Sequence, residues 1–489
     1  MLGSKKILGA VVILLLLAGM AAAEDYYGPQ NIQVNGAKKI VRAGFKAPAG
    51  RAAWVEVSNG VSGGNRAAAV IVVLNGNRLN KRKELNKKVG SAIFPVLLQS
   101  GNKIKVIVRG NGAKVNVQVK SRSADFNRLA GYGDSLLAGF EDGSLVETYQ
   151  VWNFGSQIAN IAGAKFTLPL IAEPGLPPRY RFENGQLIIP DANGPIGYRK
   201  NPDQDPDNLS VPGATVWTSL NVARIGATLD PYVIVLGGQR SMMGELKHRK
   251  PTFVLLWIGS NDILDMATNT DPSDHTALND FKRDYETILK EIRDLKVSAV
   301  AANLPDVTAV AFLFEPTSLH LLAGVPANVL MPITKLLDFD LPPDDYLSPD
   351  EVAQIRNTIQ QFNTEIEKLC EKYGVPVVDF YSVSQQWDTQ GATVGGQHLT
   401  AEWRKGIFSL DGIHPSNTGH ALIANLFIAV INKAFGANLA MVNVAAVLNQ
   451  DPNRPASAEE DSDSAVTKDS NFLKDALRVL THSNRIRRR

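Results

Sequence analysis

The chain has 489 residues, 44% of them hydrophobic, a formal charge of +3 and one cysteine. That apolar share is ordinary for a soluble globular protein, and the length leaves room for several domains. The near-neutral balance gives no support to a nucleic-acid partner, which needs clustered phosphate-neutralising charge, and the lone Cys370 excludes an internal disulfide.

At the amino end, Lys5 and Lys6 precede an apolar run from Ile7 to Ala18, followed by Ala21-Ala22-Ala23. Charge, apolar run and small residues predict an export signal over residues 1–23, cleaved after Ala23. The run falls short of the ~20 residues that span a bilayer, so no stable membrane span is expected. The destination implied is the periplasm, the outer envelope or the exterior.

Residues 24–123 read as short strands, among them Trp54–Val57, Ala69–Leu74, Lys103–Val108 and Val115–Val119. Alternating apolar and polar residues, with turns at Asn75-Gly76, Gly101-Asn102 and Asn111-Gly112, predict a small all-β sandwich-like domain. Trp54 and Phe94 are too isolated to make a sugar platform. A spacer role is the default for this domain, and a glycan or envelope surface is the alternative partner. Lys81, Arg82, Lys83, Lys87 and Lys88 mark a basic face or a solvated loop.

Beyond Asp125 candidate strands (128–132, 253–258, 297–302 and 375–379) alternate with helical stretches, notably 278–295 and 349–372. This grammar predicts an α/β fold whose parallel sheet is covered on both faces, with active groups at the carboxyl ends of its strands. Cys370 falls on the packed side of the second helix. Segments 168–210 and 312–347 are long departures from a compact domain; the second is rich in apolar residues and reads as a cap over an acyl groove or as a buried helical extension. A helix over 421–435 closes the domain and 438–448 adds a short packed piece. From Asp451 to Ser470 the composition predicts a flexible tail, ahead of a short helix and the closing arginines.

Chemistry is suggested by Gly133-Asp134-Ser135-Leu136 and by Asp411-Gly412-Ile413-His414-Pro415. A serine hydroxyl is a poor nucleophile at neutral pH, so acyl transfer needs an imidazole to take its proton and a carboxylate to orient the imidazole. Ser135 follows a strand in a glycine-containing turn, and the later loop supplies both partners.

With these motifs, residues 124–437 resemble the GDSL lipase and esterase family, the SGNH hydrolases. Four blocks carry the resemblance: Gly133-Asp134-Ser135-Leu136, Val211-Pro212-Gly213-Ala214-Thr215, Gly259-Ser260-Asn261-Asp262 and Asp411–His414. It implies a three-layer α/β/α fold on a flavodoxin-like parallel sheet. It further implies Ser135, His414 and Asp411 as the catalytic triad, with the Ser135 amide, the Gly213 amide and the Asn261 side chain as the oxyanion hole. Asp134, Asp262 and Asn303 are expected in support, Asp134 as a helix cap. His420 reads as packing, while His398 and His320 have little positional support. No cofactor or metal is expected; Asp203–Asn208 lacks the ligand pattern of a calcium loop. The function implied is an exported serine esterase or lipase acting on a small-molecule or lipid ester through an acyl-enzyme. The alternatives are a carbohydrate O-deacetylase and a non-catalytic envelope- or glycan-binding protein.

Overall fold

The computed structural model describes residues 24–183, 186–191, 194–221, 230–237, 239–315, 328–332 and 345–455. The export signal, most of the second long segment, His320 and the tail beyond residue 455 lie outside the described residues.

The amino-terminal region contains strands β1 (Asp25–Gln33), β2 (Lys38–Lys46), β3 (Ala52–Asn59), β4 (Ala69–Leu74), β5 (Asn77–Arg78), β6 (Ser91–Leu97), β7 (Gly101–Arg109) and β8 (Lys114–Ser121). They form two sheets, β1-β8-β3-β6 and β2-β7-β4-β5, in which every pairing is antiparallel. The period-two pattern decides the faces: Ile104, Val106 and Val108 of β7 point inward, whereas Lys103 and Arg109 are exposed. Val55, Val57, Val70, Val72, Val117 and Val119 complete the core between the sheets. In the loop after β5, Lys81, Arg82, Lys83, Lys87 and Lys88 are exposed around the buried anchor Leu85.

A buried cation helps to fasten this region to the rest of the chain, beside apolar packing of Ala52 and Leu97. The buried Arg122 guanidinium donates to the carbonyls of Gly374 (2.7 Å) and Val297 (3.0 Å) and lies 4.2 Å over the Trp54 ring. Burial pushes its pKa down to about 9. Trp54 is therefore a seam residue. At Gly374 (φ +62°) a Cβ would fall 2.4 Å from the Val96 nitrogen, so only glycine permits this close approach of the two backbones.

A further sheet holds β9 (Leu129–Gly133), β10 (Phe253–Trp257), β11 (Ser298–Ala302) and β12 (Val377–Val378), all parallel, in the order β12-β11-β10-β9. Residues 207–211 run along the free edge of β9: Gly131 N–H donates to Asp207 O (2.9 Å), Leu209 N–H to Gly131 O (2.9 Å) and Val211 N–H to Gly133 O (3.2 Å). The end of the first long segment thus belongs to the sheet, which the sequence reading did not anticipate because prolines at 206 and 212 bracket it. Counted with this edge, the order is flavodoxin-like, with its topological switch point between β9 and β10.

All five β10 residues are buried, as a strand covered on both faces requires. On one face Phe281 and Ile288 of helix Leu278–Leu295, with Ile355 and Phe362 of helix Pro349–Lys372, pack on Val254 and Leu256. On the other, Phe154 of helix Phe154–Ala162 and Phe427 and Ile431 of helix Asn417–Phe435 pack on Phe253, Leu255 and Trp257. The result is the three-layer α/β/α architecture.

Two expectations are corrected at the carboxyl end. The last helix starts at Asn417, not Ala421, because Ser416 caps it by accepting from Gly419 N–H (3.1 Å). The tail begins later than Asp451: that carboxylate is buried and accepts from Thr418 N–H (2.7 Å) and Thr418 Oγ1 (2.6 Å). Asn453 next reaches back to Glu141 Oε1 (2.9 Å) and Asp142 Oδ1 (3.0 Å).

Candidate active site

β9 ends at Gly133, where a Cβ would lie 2.5 Å from Trp257 O; the absence of a side chain lets the chain turn sharply against β10. Asp134 caps the short helix Ser135–Ala138, its carboxylate accepting from Leu136 N–H at 3.1 Å. Burial pushes Asp134 up to about 6 against the opposing pull of the Leu136 amide and His414. Ser135 stands at the carboxyl edge of the sheet, 9% exposed.

The loop at 411–415 comes to it across the fold. Ser135 Oγ lies 2.8 Å from His414 Nε2, and His414 Nδ1 lies 2.9 Å from Asp411 Oδ2. Asp411 also accepts from the amides of Gly143, Ile413 and His414, each at 2.8 Å. Burial raises the pKa of this carboxyl, but His414 and the amides outweigh it and hold Asp411 below the usual carboxylate range. Phe140 packs on the imidazole with ring centroids 4.6 Å apart.

The other two blocks lie in loops tied to each other and, through Val211, to the end of β9. Gly213 is exposed with φ +78° and open space where a side chain would project. Asn261 sits in the 3-10 turn Ser260–Asp262 and donates through Nδ2 to Ala214 O at 3.0 Å. Asp262 ties the same two loops together, accepting from Val216 N–H (2.9 Å) and Thr276 Oγ1 (2.7 Å). Burial pushes Asp262 up to about 6 despite those bonds.

A family model described as GDSL-like lipase/acylhydrolase matches residues 130–427. The chain belongs to the GDSL family. No curated protein matches it. Among solved structures it is similar to a family two carbohydrate esterase from Clostridium thermocellum, at 13% identity and a TM-score of 0.31, covering 85% of this chain and 99% of that one. It is also similar to a catalytic mutant of an acetylxylan esterase from Geobacillus stearothermophilus, at 14% identity and a TM-score of 0.31, covering 63% and 96%. Likenesses of that size carry no weight on substrate.

Other polar residues of the GDSL domain brace loops or pack away from Ser135. Asn303 braces the loop after β11: its Oδ1 accepts from Phe380 N–H (2.6 Å) and Tyr381 N–H (2.9 Å), and its Nδ2 donates to Asp379 (3.0 Å). His420 is fully buried, stacks on Phe154 at 6.3 Å, and is pushed down to about 3 by burial, as a packing residue would be. His398 is exposed on a hairpin, and Cys370 is buried, with its thiol pushed up to about 12 by burial. Asp205 and Asp207 pair with Arg249. Among the described residues no group of three His, Cys, Asp or Glu side chains is arranged to hold a metal ion.

Sequence reasoning missed the support behind the acid. Asp142 N–H donates to Ser409 Oγ (3.0 Å), while its carboxylate accepts from Leu410 N–H (2.9 Å), Asn453 and the Tyr149 hydroxyl. Only the turn signal of Asp142-Gly143 hinted at it. Its neighbour Glu141 is fully buried with no partner for Oε2, and burial followed by the charges of Asp451 and Asp142 raises its pKa well above the ordinary range. A carboxyl whose folded pKa is raised contributes stability that is complete below its unfolded pKa and is lost as pH climbs through the folded one. Glu141→Gln is accordingly expected to raise the melting temperature at pH 8 and to leave it unchanged at pH 4, in paired thermal melts.

Proposed function

We propose that the protein hydrolyses carboxylic esters through an acyl-enzyme on Ser135. The observation that carries this reading is the unbroken hydrogen-bonded relay from Ser135 through His414 to Asp411. His414 takes the serine proton as Oγ attacks the acyl carbonyl, then delivers it to the departing alcohol, and finally activates water against the acyl-enzyme. The Ser135 and Gly213 amides and the Asn261 side chain hold the oxyanion. Asp134 and Asp262 keep those donors in register by capping the nucleophile helix and joining the Gly213 and Asn261 loops. Removing one such donor costs ~100- to 1000-fold in kcat, the loss expected for Asn261→Ala in steady-state assays. A fluorophosphonate probe tests the reading: it labels the wild-type protein and not Ser135→Ala, whereas a well-folded wild type that takes no label argues for a binding role.

The leader read in residues 1–23 supports export to the periplasm, the outer envelope or the exterior. A second reading, a carbohydrate O-deacetylase, is favoured by aromatic and guanidinium groups near the acid. Phe182 and Trp403 lie 6.4 Å apart, Arg404 covers Phe182 at 3.6 Å, and Trp403 donates to Leu410 O next to Asp411. Rates across short- and long-chain esters, set beside release of acetate from acetylated sugars, separate the two.

A further inference from the structure

The near-neutral total charge conceals a segregation. Residues 24–123 hold eighteen Lys and Arg against four Asp and Glu, while residues 124–489 hold thirty-one against forty-four. One surface concentrates the excess. On the outer face of the β2-β7-β4-β5 sheet, the cross-strand register aligns Ile40, Ile107 and Ile71 in one row. Lys38 and Arg109 pair on one side of that row, and Arg42 and Lys105 on the other, with Arg78 beside Val73 at the edge and Lys103 and Lys46 farther along. No acid occurs in these four strands. The ion pairs of this region, Arg51–Glu24 and Lys120–Glu56, do not involve the face, and none of its seven cations enters an ion pair among the described residues. The exposed loop at 81–88 extends the charge, held to the edge of β4 by Val70 N–H donating to Leu85 O at 2.9 Å.

We propose that this face docks the protein on an anionic lipid bilayer surface. The other sheet, through Trp54, Arg122 and the Pro95–Val96 backbone, meets the hydrolase domain, so the basic face is turned away from it. Charge complementarity selects a negative partner, and lysine and arginine near a leaflet of acidic lipids are drawn to its surface potential. The face carries no aromatic side chain on which a base or a sugar ring would stack, which argues against a nucleic acid or a glycan chain. Its centre is instead a half-exposed aliphatic row bordered by long cationic stems, suited to rest among headgroups. The acidic hydrolase domain is repelled by the same leaflet, so attraction and repulsion together orient the molecule.

Sedimentation of the full chain with vesicles of phosphatidylcholine, with and without phosphatidylglycerol, tests this. Binding is expected only with phosphatidylglycerol and is released as salt shortens the screening length from ~8 Å at physiological strength to ~3 Å at 1 M. Arg42→Glu/Lys103→Glu/Lys105→Glu is expected to weaken binding about a hundredfold or more, with hydrolysis of a soluble ester unchanged. Lys165→Glu/Lys290→Glu/Lys368→Glu, which changes net charge equally within the hydrolase domain, is expected to retain binding. If circular dichroism shows the first triple misfolded, Arg42→Gln/Lys103→Gln is read in its place. Equal loss in both triples, equal binding to phosphatidylcholine alone, or tighter binding to soluble polygalacturonate than to vesicles overturns the proposal.

Discussion

Ser135→Ala is expected to lower kcat for ester hydrolysis by about a millionfold, the loss seen when a triad serine is removed and only oxyanion and binding contributions survive. The hydroxyl is the group that bonds His414 Nε2, at 2.8 Å, and alanine leaves the imidazole correctly held by Asp411 but with no oxygen to activate. The fold should survive: the change deletes one hydrogen bond between a serine at the site edge and a partly exposed histidine, a loss of ~1 kcal/mol. Rate loss without loss of thermal stability is therefore the expected result, measured by initial rates and a melt on the same preparation. A variant that keeps a tenth of the wild-type rate would remove Ser135 from its role.

Asp411→Asn is expected to cost about 10,000-fold in kcat, because the imidazole is then held in the wrong tautomer. Four N–H groups converge on the two oxygens of Asp411: the ring Nδ1 and the Gly143 amide at Oδ2, and the Ile413 and His414 amides at Oδ1. An asparagine has one accepting oxygen. If its NH2 replaces Oδ2, His414 must accept at Nδ1 and carry its proton at Nε2, facing Ser135, where it no longer acts as a base. If the amide flips, its NH2 meets the two loop amides and leaves both unpaired, each at ~1–3 kcal/mol. Either arrangement is read as a loss of acylation rate in a stopped-flow burst, with KM little changed. Held below the usual carboxylate range, Asp411 stays ionised as pH falls through that range, so the acid limb of the pH profile should not follow its titration.

The parts of this protein that announced themselves were local. Ser135, Gly213, Asn261 and the Asp411–His414 pair each sit in a short block after a strand or in a turn, where a few adjacent residues determine the conformation. Helices 278–295 and 349–372 were readable because their apolar periodicity is uninterrupted, and Ser348 and Glu351 supply a capping box for the second. The edge formed by 207–211 was not readable, since its few residues are bracketed by prolines at 206 and 212 and it owes its place to the backbone of β9. Asp142, Gly143 and Asn453 escaped for a related reason: their meaning lies in contacts across more than 260 residues. The basic sheet face was hidden by summation, the hydrolase domain's acids cancelling it in the total.

The clasp of Asp451 and Asn453 bears on the order in which the enzyme comes into being. Ser135 leaves the ribosome 279 residues before the histidine it bonds, and the side chains that lock the support of Asp411 follow later still. During synthesis and any passage of an unfolded chain, the serine is an ordinary hydroxyl with nothing to take its proton. With Ser135 as the proposed nucleophile, chemistry begins only when the far end of the hydrolase domain has closed over its beginning.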